Sequence, residues 1–170
     1  MATTYDYVGS TTTTQYFGTG AIANGKDRDY VMSRRVNLAD AVTDFLTPAG
    51  GTAFGANDVL KVMNVPAKTW VKAVMVTVVT ADTTVTDTDV GDGDNVDGYV
   101  DGLSLATAGV VAGSILQTDT TVTTAYSVPV GGGKYYLAAD TIDVKLITAG
   151  GVDGVIDIVA VCTDMSNVNV

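Results

Sequence analysis

The densest run of apolar positions in the chain lies between Val59 and Thr80, broken once at Pro66. Val59 to Val65 is apolar and rich in β-branched residues. The Pro66-Ala67-Lys68 corner then reverses the chain, since proline fixes φ and has no amide proton for a strand ladder. Thr69 to Thr80 is more apolar still: Trp70, Val74, Val76 and Val78 stand at even positions, and Val71, Ala73, Met75 and Val79 at odd ones. With both faces apolar, the pattern predicts a strand covered on each side, one face by the core and the other by a neighbouring subunit. A buried helix shares that density, but β-branched residues and Pro66 favour a strand. The two runs are expected to form a central hairpin.

Elsewhere the patterning is weaker but consistent. Tyr30, Met32, Val36 and Leu38 share one strand parity, interrupted by Arg34, with Ser33, Arg35 and Asn37 on the other. Ala39 to Leu46 fits either a short helical turn or a continuation of that strand, and Thr47 to Gly55 reads as a loop. Thr83 to Asp89, Val110 to Leu116 and Thr120 to Val130 are further strand candidates. Ile142, Val144 and Leu146 alternate with Thr141, Asp143 and Lys145 in the clearest amphipathic strand, and Val155 to Cys162 closes the domain. About eight strands at regular spacing predict an all-β fold, a jelly-roll-like antiparallel β-sandwich over residues 30–170. Residues 1–29 are polar and low in complexity, with Tyr5, Tyr7, Tyr16 and Phe17 spaced among them. They are expected to form an extended, flexible N-terminal arm: a disordered tail, or a segment ordered on a partner with the aromatics as anchors.

Composition sharpens the fold class and removes several functions. Every one of the 19 acidic residues is aspartate, and 19 glycines accompany only 3 prolines. Aspartate, glycine, threonine and valine favour turns and strands over helix. A formal net charge of −10 argues against nucleic acid and against an anionic membrane surface as partners. Seven of the nine basic residues precede position 73, an asymmetry that fits an acidic outer side and a less acidic docking side. The single cysteine, Cys162, excludes an internal disulfide framework and reads as a small core residue. No secretory signal and no stretch long enough to span a bilayer is seen, so synthesis in the host cytoplasm as a soluble chain is expected.

Chemistry is hard to place. Histidine is absent, which removes the commonest general base and metal ligand. No nucleophile elbow, Cys-x-x-Cys pair, Walker loop or dinucleotide fingerprint occurs, so no enzyme activity and no cofactor is expected. The cluster Asp87-x-Asp89-x-Gly91-Asp92-Gly93-Asp94 brings together residues a calcium loop uses, but Asp92 stands where that loop requires glycine and no glutamate closes it. Asp-Gly turns between strands are the expected reading, and no metal is assigned.

Taken together, NDVLKVMNVPAKTWVKAVMVTVVTA, TDVGDGDNVDGYVDG, GGKYYLAADTIDVKLITAG and GVIDIVAVCTD resemble a family of small tailed-phage virion proteins, the capsid cement or decoration proteins. The resemblance covers roughly residues 30–165. It implies a homo-oligomer, a trimer favoured over a dimer, on the exterior of a phage head, bridging major capsid protein subunits. The arm with Tyr5, Tyr7, Tyr16 and Phe17, together with Arg34 and Arg35, is expected to grip the major capsid protein or another copy. Deleting residues 2–25 is then expected to abolish capsid binding and leave the oligomer folded. A tail- or fibre-associated domain stacking host glycan on Trp70, Tyr99, Tyr126, Tyr135 or Tyr136 is the alternative, as is another structural virion part such as a connector or tail tube.

Overall fold

The computed structural model describes residues 2–7, 16–19, 28–113 and 133–166. Its strands are β1 (Thr4–Asp6), β2 (Tyr16–Thr19), β3 (Arg28–Asn37), β4 (Asp58–Val65), β5 (Thr69–Thr80), β6 (Thr88–Gly91), β7 (Val111–Gly113), β8 (Lys134–Tyr136), β9 (Asp140–Leu146) and β10 (Val155–Asp164). One sheet has the order β1-β4-β9-β6; the other runs β2-β3-β10-β5, with β7 and β8 both paired to the far side of β5. Among the described strands only the β1–β4 pair is parallel. The chain crosses between sheets from β3 to β4 to β5 to β6, while β3 pairs with β10 and β4 with β9. That winding is the jelly-roll-like sandwich the strand pattern predicts. The segment Thr120–Val130 lies outside the described residues.

The central hairpin does not form. Pro66 to Lys68 is a sharp corner, with Lys68 at φ 58° and its carbonyl accepting the Met165 amide at 2.8 Å. It leads from one sheet to the other, however: β4 pairs with β9, and β5 with β10. Two strands each carrying apolar side chains bury more by facing one another across a core than by lying side by side.

Bulges explain why both parities of these strands looked apolar. In β5, Val71 points into the core opposite Cys162, Lys72 is the extra residue opposite the Val161–Cys162 step of β10, and Val74, Val76 and Val78 are the core residues beyond it. In β4 the same switch falls at Val62, between Lys61 and Met63. One inserted residue exchanges the faces of everything after it. The core is built from Met32, Val36, Leu60, Ile142, Val144, Ile158 and their neighbours, all essentially solvent-free.

Between the sheets, the helical option for residues 39–46 is the one adopted. Asn37 caps helix α1 (Leu38–Ala41), its side chain accepting the Ala39 amide at 3.0 Å. A wider turn over Val42–Leu46 and a tight one over Thr47–Ala49 follow, ended by Gly50 at φ 78°. Cys162 is fully buried, and burial pushes its thiol up to about 12. A thiol reagent is therefore expected to modify Cys162 only once denaturant has unfolded the chain, which a timed labelling assay with mass detection would show.

Candidate functional site

The two sheets turn very different outer faces to solvent. On the six-stranded sheet, Val31 is 40% exposed, Met75 46% and Val111 61%; Val79 is also exposed, and Val159 and Val161 are half-buried. Register sets Val161 beside Val31, and Val159 between Ser33 and Met75, making one apolar strip across β3, β10 and β5. An ion pair stands at each end of it. Arg35 donates to both carboxylate oxygens of Asp157, at 2.7 and 2.6 Å, and Lys72 donates to Asp29 at 2.6 Å. Asp29, paired to Lys72 first and to the Thr163 hydroxyl second, is held below the usual carboxylate range. Trp70 and Tyr135 are neighbours at the Lys72 end, half-buried and exposed respectively, so Trp70 is not a core residue.

The residues expected to act together as a gripping set are divided between this face and the interior. Arg35 is on the face, and Tyr16 and Phe17 lie in β2, next to β3. Tyr7 and Arg34 are buried inside the protein itself. The Arg34 guanidinium donates to the Tyr7 carbonyl at 2.6 Å and lies 5.1 Å from the centre of the Tyr7 ring. The Tyr7 hydroxyl accepts the Asn37 amide at 3.1 Å. Tyr5 packs against Phe54 and Phe45, with ring centres 5.3 and 5.8 Å away. The first 29 residues, where described, are thus strands of the sandwich rather than an arm outside it: β1 adds to one sheet and β2 to the other. Aromatics in a polar segment signal an anchor, but not whether the anchored surface is another molecule or the chain's own core.

An aspartate-rich loop follows β6 at the edge of the four-stranded sheet. Gly91 ends β6, and a side chain there would collide with the Asn95 carbonyl at 2.0 Å, so the Asp92–Gly98 loop folds directly back over it. Asp92 within that loop is completely buried. One of its oxygens accepts the amides of Asp94 and Asn95 at 2.9 and 3.0 Å; the other accepts Lys134 at 2.6 Å and the Tyr136 hydroxyl. Tyr136 in turn meets the buried Tyr99 hydroxyl at 2.7 Å, and Lys134 also reaches Asp94 at 2.9 Å. Asp92, Asp94 and Asp140 come close enough to share a cation, and the Lys134 ammonium already bonds two of them. The Asp-Gly segment therefore supplies a turn, as its spacing predicts, and also a buried charge network that spacing did not reveal. Burial of Tyr99 and Tyr136 also removes two of the five aromatics considered for stacking on sugar.

Asp143 of β9 lies beneath the same loop, opposite Gly91 and Lys61, with one carboxylate oxygen lacking a hydrogen bond. Burial pushes its carboxyl up to about 6, against the opposing pull of Thr141 and Lys61 and with help from Asp140 and Asp92. A folded pKa above the unfolded one means that the native state must hold an unfavourable charge at high pH. The cost is present in full above about pH 6 and disappears below the unfolded carboxylate value. Asp143→Asn is accordingly expected to stabilise the fold by on the order of 1–2 kcal/mol at pH 8, after allowing for solvent screening, and by little near pH 4. Urea unfolding at the two pH values checks this.

No protein-family model matches the chain, and neither does any curated protein. Solved structures do match its fold. The chain is similar to one in the cyanophage Pam1 capsid asymmetric unit, with TM-score 0.53 and 16% identity over 85% of this chain and 91% of that one. It is similar to a chain of the capsid of Ralstonia phage GP4, with TM-score 0.52 and 13% identity over 84% and 88%. A third likeness is to the acid-stable capsid of Helicobacter pylori bacteriophage KHP30, with TM-score 0.50 and 11% identity over 88% and 93%. At these identities the likeness is one of fold, and it extends over nearly all of each chain.

Proposed function

We propose that this chain is a structural protein of a phage virion: a capsid cement or decoration protein, seated on the outer surface of the head and bridging major capsid protein subunits as a homo-oligomer. The observation that carries this reading is the whole-chain likeness of its sandwich to chains of three phage capsids. High coverage in both directions means that the shared fold accounts for most of this chain and most of each of those chains. The role is mechanical, with no catalytic step. Each bound copy adds interface between subunits that packed DNA pushes apart, and contacts repeated over a closed shell reinforce one another. The aspartate-rich loop beside the four-stranded sheet suits an exposure to solvent, whereas the apolar strip on the outer face of the other sheet suits contact with protein. Tyr16 and Phe17, on strand β2 at the end of its sheet, are proposed to contact the capsid protein.

The test is binding to shells. Purified chain, added to heads of its phage that lack it, is expected to co-sediment saturably and in fixed ratio to the major capsid protein. Decorated heads should then resist heating that opens bare ones. Failure to co-sediment overturns the reading.

A further inference from the structure

We infer that the outer face of the six-stranded sheet is where a second copy of this chain packs, face to face about a twofold axis. The inference rests on the homo-oligomer part of the proposed function, and its test needs no capsid. Three observations carry it.

The first is where the apolar surface lies. Among the described residues, the exposed large hydrophobic side chains are Val31, Met75, Val79, Val110, Val111, Tyr135 and Leu137, and every one belongs to the six-stranded sheet or its edge. A face carrying such a strip across three adjacent strands marks an interaction surface rather than scattered exposure.

The second is size. β3, β5 and β10 run for 10, 12 and 10 residues. With flanking short strands, ordinary strand spacing and rise give a face on the order of 700 Å². That is close to the roughly 800 Å² per partner of a stable interface.

The third is charge, and it selects the partner. A molecule with net charge −10 repels its own copies over most of its surface. Among the described residues the charges on this face are two cations and two anions, Arg35 with Asp157 and Lys72 with Asp29, and they balance. They are also arranged head to tail: β3 carries a cation, Arg35, near one end and an anion, Asp29, near the other. A twofold axis running across the strands turns one sheet end for end over the other, setting Arg35 of each copy towards Asp29 of its mate. Self-complementarity of this kind is what an isologous contact requires. The elementary contact is therefore twofold, in place of the threefold oligomer that family resemblance favours.

Sedimentation velocity on the full chain at micromolar concentration is expected to give a dimer or an even multiple of it. Met75→Asp and Val31→Asp alter exposed side chains, so both should keep the native circular dichroism spectrum and sediment as monomers. Leu137→Asp, at a position 72% exposed but beside the face, should remain dimeric. Arg35→Asp and Asp29→Arg are each expected to be monomeric alone and to form a one-to-one heterodimer when mixed. A monomeric or trimeric wild-type chain, or a dimer unaffected by Met75→Asp, overturns the inference. If the wild type is monomeric and Met75→Asp loses binding to shells, the face belongs to the capsid protein: self-pairing and the homo-oligomer then fall while the capsid-binding part of the proposed function stands.

Discussion

Replacing Lys134 by methionine is expected to cost about 3–5 kcal/mol of stability, the loss that follows when one member of a buried ion pair is removed. Asp92 is completely buried, and Lys134 is largely so. Without the ammonium, the carboxylate keeps two backbone amides and the Tyr136 hydroxyl but has no countercharge in a low-dielectric site. Asp94 and Asp140 stand close by and add repulsion. The position has no slack: Gly133, at φ 98°, precedes Lys134 with its α-carbon so near β5 that a side chain would meet the Val71 carbonyl at 2.0 Å. β8 is thereby held where Lys134 must reach Asp92. The double variant Asp92→Asn with Lys134→Met should recover part of the loss, because no bare charge remains. Urea unfolding of the wild type, the two single variants and the double variant provides the cycle, and a loss below about 1 kcal/mol for Lys134→Met would mean that the network is only a surface contact.

The second large effect is at Tyr7. Tyr7→Ala is expected to cost about 3–5 kcal/mol, as for other large aromatics removed from a packed site. The ring is fully buried against Phe45 and under the Arg34 guanidinium, so the change opens a cavity and also strips a buried cation of its aromatic cover. A domain with a total stability of about 5–15 kcal/mol cannot spare that without a large drop in melting temperature. Removing residues 2–25 should do more damage, since it takes away β1, Tyr5 and the Tyr7 carbonyl that accepts from Arg34. Such a deletion therefore cannot report cleanly on capsid binding, contrary to the expectation from an independent arm. Thermal melting followed by circular dichroism is the check; an unshifted melting temperature for Tyr7→Ala would place residues 2–7 outside the fold.

Much of this architecture was legible in the sequence, and the failures share a cause. The alternation of Ile142, Val144 and Leu146 gave β9 its inner face correctly, because that strand meets the core without inserting a residue. Arg34 broke the parity of β3 as read, but it stays buried on the inner face, its guanidinium donating to the Tyr7 carbonyl. In β4 and β5, single-residue bulges at Val62 and Lys72 switched the faces midway, and a pattern of period two cannot register such a switch. The hairpin failed for another reason: Pro66 identifies a corner, yet nothing local says whether a strand returns beside its predecessor or crosses the core. The charge network was invisible because Lys134 lies 42 residues from Asp92. The docking face was half legible: the excess of apolar residues in Thr69–Thr80 called for a second covering surface, and Met75 and Val79 are what remains for it to cover.

The proposed place of this chain is the exterior of a phage head, which immunogold labelling of intact virions with antibody to the chain would test. Gold is expected to be distributed over the heads of particles that have not been disrupted. Gold confined to tails, or absent from intact virions, would contradict it.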